Sequence, residues 1–336
     1  MITARGLGRQ FRRKGRHSAA FDAVKAVDIT VEAGELVGFL GPNGAGKTTT
    51  LRMLTTLLTP TSGHATVAGC DLVENPRGVR QRIGYVAQGA GTSPESRVAE
   101  EVEMQGRLYG LSKAAARTRG AELMERFALT GLERRLSHTL SGGQRRRLDI
   151  VLGLIHSPGL VFLDEPTSGL DPHSRSDLWD HIRRLRVENG MTMFLTTHYL
   201  EEVDALCDRV LVMDAGRIIA EGTPDALKAR ISGDGIVMDM DPRHAAEAVA
   251  IVRRVTGAKD ITTSTGRVRC RVAQANTLLP DLLRSLDSAD ITVQSLQVNR
   301  PSLDDVFLTL TGRTLRDLPD GHMPEALEET GSHSVA

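Results

Sequence analysis

Neither sign of charge is in excess in this chain: Lys and Arg number 42, and Asp and Glu also number 42, among 336 residues. No global field therefore advertises nucleic acid or an anionic membrane as partner, and any such contact has to be local. Cysteine is scarce. Cys70, Cys207 and Cys270 lie far apart with no C-x-x-C spacing, which argues against a disulfide framework and suits a reducing compartment. Long apolar runs are missing as well. Leu36 to Leu40 and Leu160 to Leu163 have the length of strands, far short of the roughly 20 residues a spanning helix needs. Met1 to Gly8 shows no charged region followed by an apolar stretch, so no secretory leader is expected. The length allows one large domain and a smaller one.

What is present is a set of short motifs in a fixed order: Gly41-Pro42-Asn43-Gly44-Ala45-Gly46-Lys47-Thr48, Leu140-Ser141-Gly142-Gly143-Gln144, Leu160-Val161-Phe162-Leu163-Asp164-Glu165 and Thr196-Thr197-His198. The first sits between a short apolar strand ending at Leu40 and a helix expected over Thr48 to Leu58. In that context the glycines let the backbone wrap closely, aiming N–H groups and the helix N-terminus at phosphate oxygens. Lys47 would reach the β- and γ-phosphates, Thr48 offers a hydroxyl to Mg²⁺, and Thr49 is placed for a further phosphate contact. Asp164 ends an apolar run that reads as a central strand, where a carboxylate can hold Mg²⁺ through water. Glu165 follows as the candidate general base. An acid pair at a strand end is weak by itself; its weight comes from the other motifs.

Together these motifs resemble the nucleotide-binding subunit of ATP-binding cassette (ABC) transporters. The resemblance implies an α/β P-loop NTPase fold, with a RecA-like parallel-sheet core, an antiparallel edge sheet and a helical subdomain, and it implies ATP and Mg²⁺ as cofactors. Leu140 to Gln144 matches the signature motif, so Ser141, Gly142, Gly143 and Gln144 would face the γ-phosphate held by a second copy, and two chains would sandwich two ATP. Gln88, in Tyr85-Val86-Ala87-Gln88, matches the Q-loop glutamine that touches Mg²⁺ or water and links the core to the helical subdomain. Ser168-Gly169-Leu170-Asp171 matches the D-loop at the dimer interface. His198 matches the switch histidine on the γ-phosphate, whereas a lone histidine at a strand end is ordinarily structural. The implied catalytic set is Glu165, His198 and Gln88, and the implied metal set is Thr48, Gln88 and Asp164. Phe11 stands where the family carries an aromatic that stacks on adenine, although Arg12 to Ala20 is longer than usual there and Phe21 is a second aromatic nearby. Arg12, Arg13, Lys14 and Arg16 read as a solvated loop tip, with lipid headgroups or a membrane partner as the alternative contact.

Residues 2–231 are expected to form the nucleotide-binding domain, with a helical subdomain over about 89–157. Helices are expected over Val98 to Tyr109, Lys113 to Leu129 and Gly143 to Ile155. Ser232-Gly233-Asp234-Gly235 reads as a linker. A small α+β C-terminal domain over 235–312, with a split β-α-β arrangement, should follow, with a helix over Leu278 to Leu286 and a strand over Ile291 to Val298. The tail 313–336 has no periodic pattern and is expected to be disordered. Pro301-Ser302-Leu303-Asp304-Asp305-Val306-Phe307-Leu308 resembles the end of the ATPase subunits of daunorubicin-resistance-type exporters. That resemblance implies efflux of hydrophobic drugs or antibiotics, powered by a homodimer on the cytoplasmic face of the membrane. The cargo would contact a separate transmembrane permease subunit, and nucleic acid would not be a partner. Export of lipid, polysaccharide or another cargo is the alternative. A soluble ABC ATPase acting on ribosomes or DNA fits less well, since the motifs occur once and no heptad run interrupts them.

Overall fold

The computed structural model describes residues 1–12, 20–89, 91–230, 233–258, 261–272, 275–299 and 302–311. Arg13, Lys14, Arg16, Ser232, Pro301 and the tail 313–336 lie outside the described residues. The chain divides into two compact units, Met1–Pro224 and Asp225–Thr314.

The first unit runs β1 (Ile2–Arg12), β2 (Ala20–Val31), β3 (Leu36–Leu40), α1 (Lys47–Leu54), β4 (Ser62–Val67), β5 (Cys70–Asp71), α2 (Pro76–Arg82) and β6 (Ile83–Val86). It continues through α3 (Val98–Leu108), α4 (Lys113–Arg126), α5 (Gly142–Leu154), β7 (Leu160–Asp164), α6 (Pro172–Asn189), β8 (Thr192–Thr197), α7 (Leu200–Leu206), β9 (Arg209–Asp214) and β10 (Arg217–Gly222). One sheet has the order β2-β1-β4-β5 and is antiparallel; the other has the order β10-β9-β3-β8-β7-β6, parallel from β9 to β6 with β10 antiparallel at its edge.

Strands β3, β7 and β8 are buried at every position, as parallel strands covered on both faces must be. Phe39, Phe162 and Phe194, one from each, lock these three strands together, with ring centroids 5.5 Å and 5.7 Å apart and the rings tilted. The carboxyl ends of the same strands carry Gly41, Asp164 and His198. Helix α1 stops at Leu54, short of the expected Leu58. Thr56 takes a left-handed φ of 62°, and the N–H groups of Leu57 and Leu58 both turn back to the Arg52 carbonyl. Helix α4 likewise ends at Arg126 instead of Leu129, with Ala128 at φ 51° and the Leu129 N–H bonded to the Met124 carbonyl.

The second unit contains α8 (Pro224–Ala229), β11 (Asp234–Asp239), α9 (Ala245–Thr256), β12 (Ile261–Ser264), β13 (Arg267–Val272), α10 (Ala275–Asp287), β14 (Ser295–Asn299) and α11 (Leu303–Thr311). Its sheet has the order β12-β13-β11-β14 with every neighbour antiparallel, a β-α-β-β-α-β arrangement. The last strand is shorter than expected. Ile291 is buried and closes α10 through its N–H on the Leu286 carbonyl, so pairing with β11 begins only at Ser295. Helix α10 starts before the expected Leu278, where Asp234 accepts the Ala275 N–H at 2.9 Å. Ser302 caps α11, exchanging bonds with Asp305. Among the described residues no helix is long and apolar enough to cross a membrane.

Candidate functional site

The loop between β3 and α1 needs glycine for two separate reasons. A Cβ on Gly41 would stand 2.3 Å from the Met213 carbonyl oxygen of β9, a contact with backbone that no rotamer change relieves. Gly44 and Gly46 have φ of 79° and 106°, in the region other residues avoid. Gly46 supplies no side-chain cap to α1 and no acid stands in its first turn, so the leading N–H groups are left for an anion. Lys47 folds back across this loop: its Nζ donates to the carbonyls of Gly41 at 2.7 Å and Pro42 at 3.1 Å, and lies 3.8 Å from Glu165 Oε1. Burial lowers the lysine pKa, while Glu165 and Asp164 work against that. Thr48 is half-buried and Thr49 buried.

Asp164 closes β7 with its carboxyl buried, and Thr196 of β8 donates its hydroxyl to Asp164 Oδ1 at 2.6 Å. Burial raises the Asp164 pKa, the Thr196 bond opposes this, and the neighbouring Glu165 adds to it. Glu165 is held in a left-handed backbone conformation, φ 44°, uncommon for a residue that is neither glycine nor asparagine. Its N–H is bonded to Thr196, at the carbonyl (3.0 Å) and the hydroxyl (3.1 Å). Gln88 Nε2 donates to Glu165 Oε2 at 2.9 Å. His198 Nδ1 stands 3.3 Å from the same oxygen, in ion-pair range but off the line for a hydrogen bond. Burial pushes the Glu165 pKa up, yet His198 and Lys47 outweigh it and hold the carboxyl below its usual range. Lys47, Gln88, Asp164, Glu165 and His198 are thus one cluster. The oxygen donors it offers, from Thr48, Gln88 and Asp164, are hard ligands.

The signature residues form a second cluster. Ser141 caps α5, accepting the Gln144 N–H at 3.2 Å while Gln144 Oε1 accepts the Ser141 N–H at 3.0 Å. Asp171 caps α6 through Ser174, with bonds of 3.0 Å and 2.7 Å. The two helix starts touch: a Cβ on Gly143 would lie 2.9 Å from Ser174 Oγ, and one on Gly142 3.9 Å from Leu170. These side chains bond one another, not Lys47 or Glu165. Phe11 is half-buried on β1, opposite Phe21 of β2, with the Arg9 guanidinium 4.8 Å above its ring.

Three residues of the site, though inside or beside the motifs, carry roles that the motifs do not announce. Thr196 holds both acids of β7. Arg146 of α5 is buried and donates to the carbonyls of Pro166 (2.7 Å), Asp164 (2.9 Å) and Ala87. Asp149, one turn further, accepts the Gly91 N–H at 3.2 Å and has its pKa pushed up to about 6, by burial against the pull of Arg146. Arg146 and Asp149 belong to the run Arg145-Arg146-Arg147-Leu148-Asp149 that follows the signature, and their i, i+3 spacing is the signal that pairs them.

A strand, a glycine loop closed by lysine and a helix, facing paired acids at a neighbouring strand end, define a P-loop nucleotide-binding cassette. The comparisons agree. Residues 24–168 match the family model described as ABC transporter, and residues 222–311 match the C-terminal domain of the ATP-binding protein DrrA1-3-like group. The chain is 44% identical over 292 residues to the daunorubicin resistance ATP-binding protein DrrA2 of Streptomyces coeruleorubidus, covering 86% of this chain and 90% of that protein. It is 38% identical over 297 residues to the linearmycin resistance ATP-binding protein LnrL of Bacillus subtilis, covering 88% and 95%. Among solved structures, cbiO1 of Clostridium perfringens, part of an ABC transporter complex, superposes with a TM-score of 0.61 at 28% identity, covering 68% of this chain and 90% of that one. The chain belongs to the ATP-binding proteins of ABC transporters, and it is an ATPase.

Proposed function

We propose that this chain hydrolyses ATP to drive efflux of hydrophobic drugs or antibiotics through a separate membrane subunit. The observation that carries the catalytic part is the convergence of Lys47, Gln88 and His198 on Glu165. A carboxylate held below its usual range is ionised at neutral pH and can take a proton from a water that Gln88 and His198 orient. As that water's oxygen bonds to the γ-phosphorus, the bond from phosphorus to the bridging oxygen breaks, and ADP departs with the electron pair. Lys47 and the N–H groups at the start of α1 hold the phosphate charge. Thr48, Gln88 and, through water, Asp164 suit Mg²⁺, which would neutralise charge between the β- and γ-phosphates.

The spare helix start at Ser141 to Gln144 supports a composite site: in a homodimer it would meet the γ-phosphate bound by the other copy, with Asp171 at the same interface. Phe11 is assigned to the adenine. A cytoplasmic location, on the inner face of the membrane beside the permease, accords with helices none of which, among the described residues, could span it. The resistance functions of the relatives, matched along both units, support drugs or antibiotics as cargo over lipid or polysaccharide. Efflux from cells producing this chain with its membrane subunit tests the proposal. Wild type should lower accumulation of a hydrophobic drug such as an anthracycline, and Lys47→Ala and Glu165→Gln should abolish that. ATP hydrolysis with no efflux would overturn the cargo assignment.

A further inference from the structure

The base sits in a left-handed backbone conformation, which persists for a glutamate only where its surroundings over-determine it. Its N–H is fixed by Thr196 of β8. The carbonyls on either side, Asp164 and Pro166, are both held by one side chain, Arg146. The guanidinium is rigid and planar, so two N–H groups that grip both flanking carbonyls fix the peptide planes around Glu165 together. A third N–H takes the carbonyl of Ala87, the residue before Gln88, and Asp149 takes the N–H of Gly91 on the far side of Gln88. Arg146 and Asp149 are one turn apart on α5, the helix that Ser141 caps.

We infer that Arg146, seconded by Asp149, is a positioning residue for ATP hydrolysis: it holds Glu165 and the Gln88 segment at their working geometry and ties both to the signature helix. The bare structural alternative is a buried arginine that only stabilises the fold. Three carbonyl partners, two of them flanking one catalytic side chain and the third adjoining another, favour the positioning role. The N–H groups of Arg146 are spent on the backbone carbonyls of Pro166, Asp164 and Ala87, so ATP binding should survive its loss while the chemical step should not.

The inference rests on Glu165 being the base, and the test keeps the two apart. Stoichiometry of ATP binding, KM for ATP and kcat are measured on the full-length chain for wild type, Arg146→Lys, Arg146→Met, Asp149→Ala and Glu165→Gln. A lysine ammonium cannot replace a planar fork on three carbonyls. Arg146→Lys should therefore bind ATP at the wild-type stoichiometry, keep KM within about threefold and lose about 100-fold in kcat. Arg146→Met should lose at least as much, and Asp149→Ala, which leaves Arg146 in place, should lose less. A kcat per bound ATP equal to wild type in both Arg146 variants overturns the inference, as does loss of ATP binding in both, which would make the role structural. Normal turnover by Glu165→Gln would instead overturn the base. A dead Glu165→Gln beside a fully active Arg146→Lys would leave the base standing and sink the clamp alone.

Discussion

Asp149 shows how one buried acid converts position into pH dependence. Arg146 and Arg145 on its own helix, Glu101 of α3 and the Gly91 N–H all bear on it, and burial prevails, so its pKa rises from 3.8 to about 6. In the folded state it binds a proton more tightly than in the unfolded state, so its favourable contribution is complete below pH 3.8 and is lost as pH rises through about 6. Across that window wild type should lose about 1–3 kcal/mol of stability relative to Asp149→Asn, which keeps the acceptor for Gly91 without the charge. Urea unfolding of both proteins at a series of pH values reads the difference; parallel curves would refute it. The sequence displays the glycines, Lys47 and the paired acids openly, because their chemistry is tied to a contiguous motif. It does not display Arg146. Arg145, Arg146 and Arg147 are chemically alike in the chain, and only the phase of α5 turns the middle one into the interior while its neighbours stay half-buried.

Among the elements, α1 and the loop before it depend on strand β9, far along the chain. The Met213 carbonyl leaves no space beside Gly41, so Gly41→Ala must displace the loop or the strand. The variant should lose about 1–3 kcal/mol of stability and bind ATP more weakly. Gly44→Asn is the control, since the surroundings of Gly44 are open and asparagine tolerates a left-handed backbone. Thermal melts and ATP titration of the pair provide the check; equal behaviour would contradict the packing argument. Helix existence was legible from apolar spacing, and two of the expected helices prove to be capped by the serines that precede them, Ser112 and Ser141. Ends were less so, because the reversals at Thr56 and Ala128 use left-handed residues that carry no glycine to announce them. The extra strand length read at Ile291 reflects the same limit. Its apolar alternation is real, but Ile291 spends its N–H on α10 instead of a strand partner.

In the whole molecule, strand order was the least legible feature. β3 lies between β8 and β9, both more than a hundred residues later, and nothing local in Leu36 to Leu40 specifies those neighbours. That order nevertheless makes the site, since it sets Gly41, Asp164 and His198 together at the carboxyl ends of three adjacent strands. Within one chain the resulting cluster is centred on Glu165, while Ser141 and Gln144 at the start of α5 bond each other and that helix start packs against the start of α6. In the composite site proposed above, a second copy brings Ser141 to the nucleotide. The most direct measurement is the mass in solution of Glu165→Gln with saturating ATP, together with the nucleotide it retains. The expected result is a dimer holding two unhydrolysed ATP molecules, which reverts to monomer when Ser141→Arg is added. A Glu165→Gln protein that stays monomeric with ATP bound, or that hydrolyses it at the wild-type rate, would contradict it.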